Sequence, residues 1–182
     1  TRSGTHDYNV ALVAAMLHHH GEEETKTWLE GLKSNLAQKP QGNDRAQVKS
    51  IWSGECDISL GNTYYMGKML EDSEQSEWAN AVNVLFPEFE EGGTHVNISG
   101  VAMTKAAPNR ENALKMMEFL TSPEAQKLYA SANYEYPIAP GTEADDVVNS
   151  WGSFTPDDVN LMELAGLRGD ALRLIEEVDF DG

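Results

Sequence analysis

Tyr64 and Tyr65 stand side by side, directly after the apolar run that ends in Gly61-Asn62-Thr63. A phenol becomes a hard oxygen donor once it loses its proton. Its ordinary pKa of about 10 means that it does so only beside a strong cation. Ferric iron is such a cation, and phenolate is a ligand that suits it. Two adjacent tyrosines opening a helix after a strand are therefore a candidate ferric site. The alternative for such a pair is that one of the rings simply packs in a core. A second candidate is the segment Ser3-Gly4-Thr5-His6-Asp7-Tyr8-Asn9. A Ser-Gly turn opening onto a helix presents backbone N–H groups, a ready site for an anion. Tyr8 sits just ahead of the first turn of that helix. Asn43 and Asn62 occupy the same kind of position before two further helices. Helix capping explains both asparagines equally well.

Other reactive residues carry less. His18-His19-His20 cannot converge on one ion, because neighbours on a helix point about 100° apart. At a helix end they suit the dipole as ordinary polar groups. The chain has no Gly-x-x-x-x-Gly-Lys, His-Glu-x-x-His or Gly-x-Ser-x-Gly pattern. The acidic pairs Glu90-Glu91, Asp145-Asp146, Asp157-Asp158 and Glu176-Glu177 read as solvated faces. No nucleophile has an evident base, so an enzyme is not expected. Cys56, the single cysteine, excludes a disulfide framework and a thiolate cluster, and reads as packing.

These residues need elements to position them. Helices are expected over Asn9–His20, stopped at Gly21, and over Glu22–Leu36, with Trp28, Leu29, Leu32 and Leu36 on one side. Further helices are expected over 44–53, 64–70 and 110–120, after Ser122-Pro123, and over 170–178. Strands are expected over 56–60, 82–86, 96–103 and 133–138, with a loop over 39–43, an exposed polar stretch at 71–75 and a turn at Glu91-Gly92-Gly93. Strands alternating with helices indicate an α/β architecture. With 182 residues and 40% hydrophobic content, a packed core is within reach. A formal charge of −17 argues against a nucleic-acid partner. No apolar run approaches the ~18–20 residues needed to span a membrane.

Asn62-Thr63-Tyr64-Tyr65, preceded by Gly54-Glu55-Cys56-Asp57-Ile58-Ser59-Leu60, resembles the ferric-binding solute receptors of bacterial ABC transporters. Ile98-Ser99-Gly100-Val101-Ala102-Met103, Phe119-Leu120-Thr121-Ser122-Pro123-Glu124-Ala125-Gln126 and Asn133-Tyr134-Glu135-Tyr136-Pro137-Ile138 are similar to the same family. The likeness runs over nearly the whole chain, and the tyrosine pair is its specific part. It implies a periplasmic-binding-protein-like (type II) fold. It also implies that Tyr64 and Tyr65 bind Fe3+, joined by Tyr8, with Ser3, Gly4, Thr5, Asn43 and Asn62 holding a synergistic anion such as carbonate or phosphate or serving the site's geometry. The expected partner is an ABC permease and the expected location is periplasmic or extracytoplasmic. Family members are longer, so the resemblance implies a fragment that lacks its amino-terminal lobe. Residues 1–94 would begin the carboxyl-terminal lobe, 95–140 would return to the missing lobe, and 141–182 would close the first. Two rival readings stay open: a receptor for another small anion, and a hydrolase built on His6 or His95.

Overall fold

A computed structural model describes residues 1–89 and 92–182. The pair Glu90-Glu91 and the start of the turn at Glu91-Gly92-Gly93 lie outside the described residues. The chain divides into two compact units. One comprises Thr1–Gly61, Trp78–Asn97 and Phe154–Gly182; the other comprises Asn62–Glu77 and Ile98–Ser153.

The first unit is organised by α1 (Asp7–Ser34), α2 (Asp44–Trp52) and α8 (Leu161–Glu177). The two helices expected at 9–20 and 22–36 are the two arms of α1, broken where Gly21 adopts φ 74° and ψ −178°. That backbone strains any residue with a Cβ, which is why glycine stands at the break. Val10, Val13, Ala14 and Ala15 from the first arm and Leu29 from the second meet Leu164, Ala171, Leu174 and Ile175 of α8 and Phe180. Leu29, Leu174 and Ile175 are fully buried. At the rim, Arg168 pairs with Asp7 at 2.8 Å, Arg173 with Glu22 at 3.0 Å, and Lys26 with Glu177. Exposed pairs such as these each contribute little, about 0–1 kcal/mol.

The second unit holds α3 (Tyr64–Glu71), α5 (Arg110–Leu120), α6 (Pro123–Asn133) and α7 (Asp146–Ser150). The short α4 (Ser76–Asn80) falls at the boundary, just after the stretch read as polar and exposed. Ser122 caps α6 through its hydroxyl, which accepts from the Ala125 N–H, with Pro123 at the first position. The buried hydrophobic set here is small: Met66, Met69, Ala125, Ala130, Tyr134 and Val148. No residue of α5 is buried.

The strand expectations need correction. Among the described residues the only β pairing is a parallel bridge between Thr94 and Pro156. It is closed by Thr94 N–H to the Thr155 carbonyl at 2.8 Å and Asp157 N–H to the Thr94 carbonyl at 2.9 Å. Segments 56–60, 82–86, 96–103 and 133–138 form no ladder. Alternation selects which face of an extended segment is apolar; a strand also needs a neighbour to accept its backbone bonds. The closing helix begins at Leu161 rather than Asp170, and α7 was not expected at all. No helix among the described residues is long and apolar enough to cross a membrane.

Candidate metal centre

Tyr64 and Tyr65 occupy the first turn of α3, in the second unit. Their rings are stacked, with centroids 4.2 Å apart and planes inclined by 29°. Both are half-buried. Consecutive helical residues normally diverge by about 100°, so stacking brings two phenol rings onto one side of the helix end. Thr63 stands at the cap position and makes no side-chain cap bond. Asn62 meets the helix through its carbonyl, which accepts from the Tyr65 N–H at 3.4 Å.

Further along, α3 is seated on Tyr134. A Cβ at Gly67 would overlap the Tyr134 ring, so glycine permits the close approach of helix and ring. The Lys68 ammonium lies 5.8 Å from the ring centroid and also donates to the Ala132 carbonyl. The Tyr134 hydroxyl donates to Glu71, and this bond, with burial, pushes the phenol up to about 12. A hydroxyl held as donor to a carboxylate resists ionisation.

Tyr8 lies in the first unit, together with Ser3, Gly4, Thr5 and Asn43. Its N–H donates to the His6 imidazole Nδ1 at 3.3 Å, which caps α1. The Arg2 guanidinium sits 5.7 Å from the Tyr8 ring centroid and pairs with the buried Asp44 at 2.5 Å. The Asn9 amide donates to the carbonyls of Arg2 at 3.1 Å and Ser3 at 2.8 Å, which fixes the turn ahead of Tyr8.

The turn holds an anion that the sequence reading did not find. Ser3 Oγ donates to Asp181 Oδ2 at 2.6 Å and the Gly4 N–H donates to Oδ1 at 2.7 Å. The Thr5 N–H and hydroxyl lie 3.4 Å from Oδ2. Burial pushes the Asp181 carboxyl up, but the bonds from Ser3, Gly4 and Thr5 outweigh it and hold it below the usual carboxylate range. A carboxylate 177 residues away in sequence leaves no local signal. Asn43 caps α2, its side-chain oxygen accepting from the Ala46 N–H at 3.0 Å. The structure thus brings Ser3, Gly4 and Thr5 together and stacks Tyr64 on Tyr65.

The histidines go separate ways. His18 faces Glu163 at 3.6 Å, His19 bonds to the buried Asp157 at 2.9 Å and stacks on Phe89, and His20 faces Glu24 at 3.7 Å. Burial pushes the His95 imidazole down, opposed by the charge of Asp157 and a bond to Asn97. No group of three or more His, Cys, Asp or Glu among the described residues could hold a metal.

The chain is 46% identical over 178 residues to "Iron uptake protein A1" of Synechocystis sp., covering 97% of this chain and 49% of that protein. It therefore spans about half the length of the curated relatives it matches. Among solved structures it superposes on the ferric iron-binding protein A of Mannheimia haemolytica in an open conformation with a TM-score of 0.95 and 52% identity, covering all of this chain and 57% of that one. A Trichodesmium protein in complex with iron and citrate ligands gives a TM-score of 0.93 at 39% identity, covering 99% of this chain and 58% of that one. The fold is accordingly that of a type II periplasmic binding protein, over the corresponding part of its length. Residues 1–155 match the family described as bacterial extracellular solute-binding protein, and the chain belongs to that family.

Proposed function

We propose that this chain is the metal-binding portion of an extracytoplasmic receptor that captures Fe3+ in a cleft between two lobes and delivers it to an ABC permease. The observation that carries the reading is the stacked Tyr64–Tyr65 pair at the uncapped first turn of α3. The relatives named for iron uptake and ferric binding support it. Tyr64, Tyr65 and Tyr8 are the proposed phenolate ligands. Asn43 and Asn62 serve the geometry of the site. Ser3, Gly4 and Thr5 hold an anion, a role Asp181 fills from within the chain and an external carbonate or phosphate would contest. In this reading residues 1–94 and 141–182 build one lobe. Residues 95–140 return to a second lobe supplied by the length of the relatives that this chain does not span. Lobe closure around the ion completes the mechanism, which involves no reaction step and so no enzyme.

Ferric titration followed by visible absorption tests the reading, because phenolate-to-iron charge transfer is coloured. Tyr64→Phe and Tyr65→Phe each delete one hard donor while keeping the ring, and each is expected to remove most ferric binding. Tyr8→Phe is expected to weaken it less. Binding should also weaken as pH falls and release protons on loading, since each phenol must ionise to ligate. Unaltered affinity in both pair variants removes the ligand assignment.

One observation favours a second reading, a receptor for a small carboxylate or other anion: the Ser3–Thr5 donors already wrap a carboxylate. Colourless, pH-insensitive binding of citrate without iron would select it.

A further inference from the structure

Helix α3 has eight residues, below the roughly 12–15 at which an isolated helix sustains itself in water. Its amino-terminal cap position makes no side-chain bond. The orientation of Tyr64 and Tyr65 then depends on what α3 rests on, and the helices packed against it are α6 and α7. Three contacts converge on one residue at the end of α6. Gly67 accepts the Tyr134 ring where no Cβ fits, Lys68 places its cation over that ring, and Glu71 accepts a hydrogen bond from its hydroxyl. Gly67, Lys68 and Glu71 span just over one turn of α3, so a single ring fixes both its rotation and its translation.

The backbone of Tyr134 is itself an outlier. At φ 56° and ψ 31° it is one of two non-glycine residues with positive φ among those described. A residue with a Cβ is costly there. Such a conformation persists where the surroundings over-determine it, and such outliers cluster at functional sites. Glycine or asparagine would end α6 more cheaply. The ring is what they lack.

We propose that Tyr134 is a positioning residue for the Tyr64–Tyr65 pair, holding α3 at the rotation and height at which both phenols are presented together. The inference rests on the ferric reading given above. The test uses the 182-residue chain and ferric ion supplied as its nitrilotriacetate complex. Tyr134→Asn keeps a residue suited to left-handed backbone and removes the ring. Its affinity, corrected for the folded fraction by circular dichroism, should fall about tenfold or more, the scale expected when a built site is misplaced by about an ångström. Its charge-transfer band should shift or broaden. Tyr134→Phe keeps the ring against Gly67 and should rescue both, staying within about twofold of the parent. An unchanged band and affinity in Tyr134→Asn overturns the proposal, because a residue that only stabilises the fold lowers the folded fraction without altering the band. Should Tyr134→Asn not fold, the double variant Lys68→Met/Glu71→Leu takes its place. It retains the ring and removes two tethers, so a shifted band supports the proposal and an unmoved one overturns it. A parent chain that gives no band removes the ferric reading and this inference together. A parent band insensitive to Tyr134 removes this inference alone.

Discussion

The two units are built to different standards. Among the described residues, the first buries ten hydrophobic ones in one cluster, drawn from both arms of α1, from α8 and from Phe180. The second buries scattered residues and leaves Ile98, Val101, Leu114, Met116, Phe119, Leu128, Tyr129 and Ile138 exposed, with Ile98 at 60% and Leu128 at 57%. Apolar surface on this scale marks something to be covered. The chain spans 57–58% of the solved relatives it superposes on, and a lobe from the remaining length is the cover proposed here. The lesson is that one unit is held by its own core, whereas the other is held by a few specific contacts. The pair Tyr64–Tyr65 sits in the second kind.

That contrast can be broken at several points. The largest effect is expected for Leu174→Ala, which empties a fully buried site in the first unit. Denaturant unfolding should show a loss of about 3 kcal/mol. Next is Gly67→Ala, whose methyl group overlaps the Tyr134 ring. A loss of about 2 kcal/mol is expected, and hydrogen exchange should report it in α3 and α6 while the α1–α8 core keeps its protection. Equal loosening of both units would erase the distinction.

Asp181→Asn should cost about 1 kcal/mol near neutral pH, a charge-assisted set of bonds at a partly exposed site. The folded carboxyl lies below its ordinary value. Its contribution is therefore complete above the unfolded pKa of about 3.9 and is lost as pH falls through the lower folded value. Parent and variant stabilities should converge on acidification below about pH 4. Tyr134 has the opposite sign. Its phenol, raised to about 12, adds stability that is complete below the unfolded value of about 10 and is lost as pH rises through the folded one. Tyr134→Phe should flatten that alkaline limb. The smallest effect belongs to Leu114→Ser, at a half-exposed position of α5. It should stay within about 0.5 kcal/mol in this chain, and a large loss would show that the second unit has a core of its own.

Much of this was legible in the sequence where the signal is local. Ser122-Pro123 announced α6, Asn43 announced α2, and Gly21 marked the break in α1. The tyrosine pair at the start of α3 was found at its place. What was missed depends on distant partners. The closing helix was expected only from residue 170, yet α8 begins at Leu161 and runs through Gly166 and Gly169 because Leu164, Ala171, Leu174 and Ile175 are buried, and burial overrides propensity. The strand patterns were apolar in the right rhythm, but rhythm does not supply a pairing edge. Asp181 and Tyr134 owe their roles to contacts 177 residues away and 63 to 67 positions away, across turns that no periodicity announces.

The bond between Ser3 and Asp181 has a topological consequence. It joins residues 178 positions apart at 2.6 Å, and Phe180 packs against Gly4 beside it. The polypeptide is thereby a nearly closed ring. Anything attached ahead of Thr1 and anything attached after Gly182 would emerge side by side, the arrangement that lets one domain be spliced into another without disturbing either. The same proximity makes the chain a candidate for circular permutation. A short linker across the present ends, with new ends opened in the exposed 39–42 loop, would leave every contact of α1 with α8 in place.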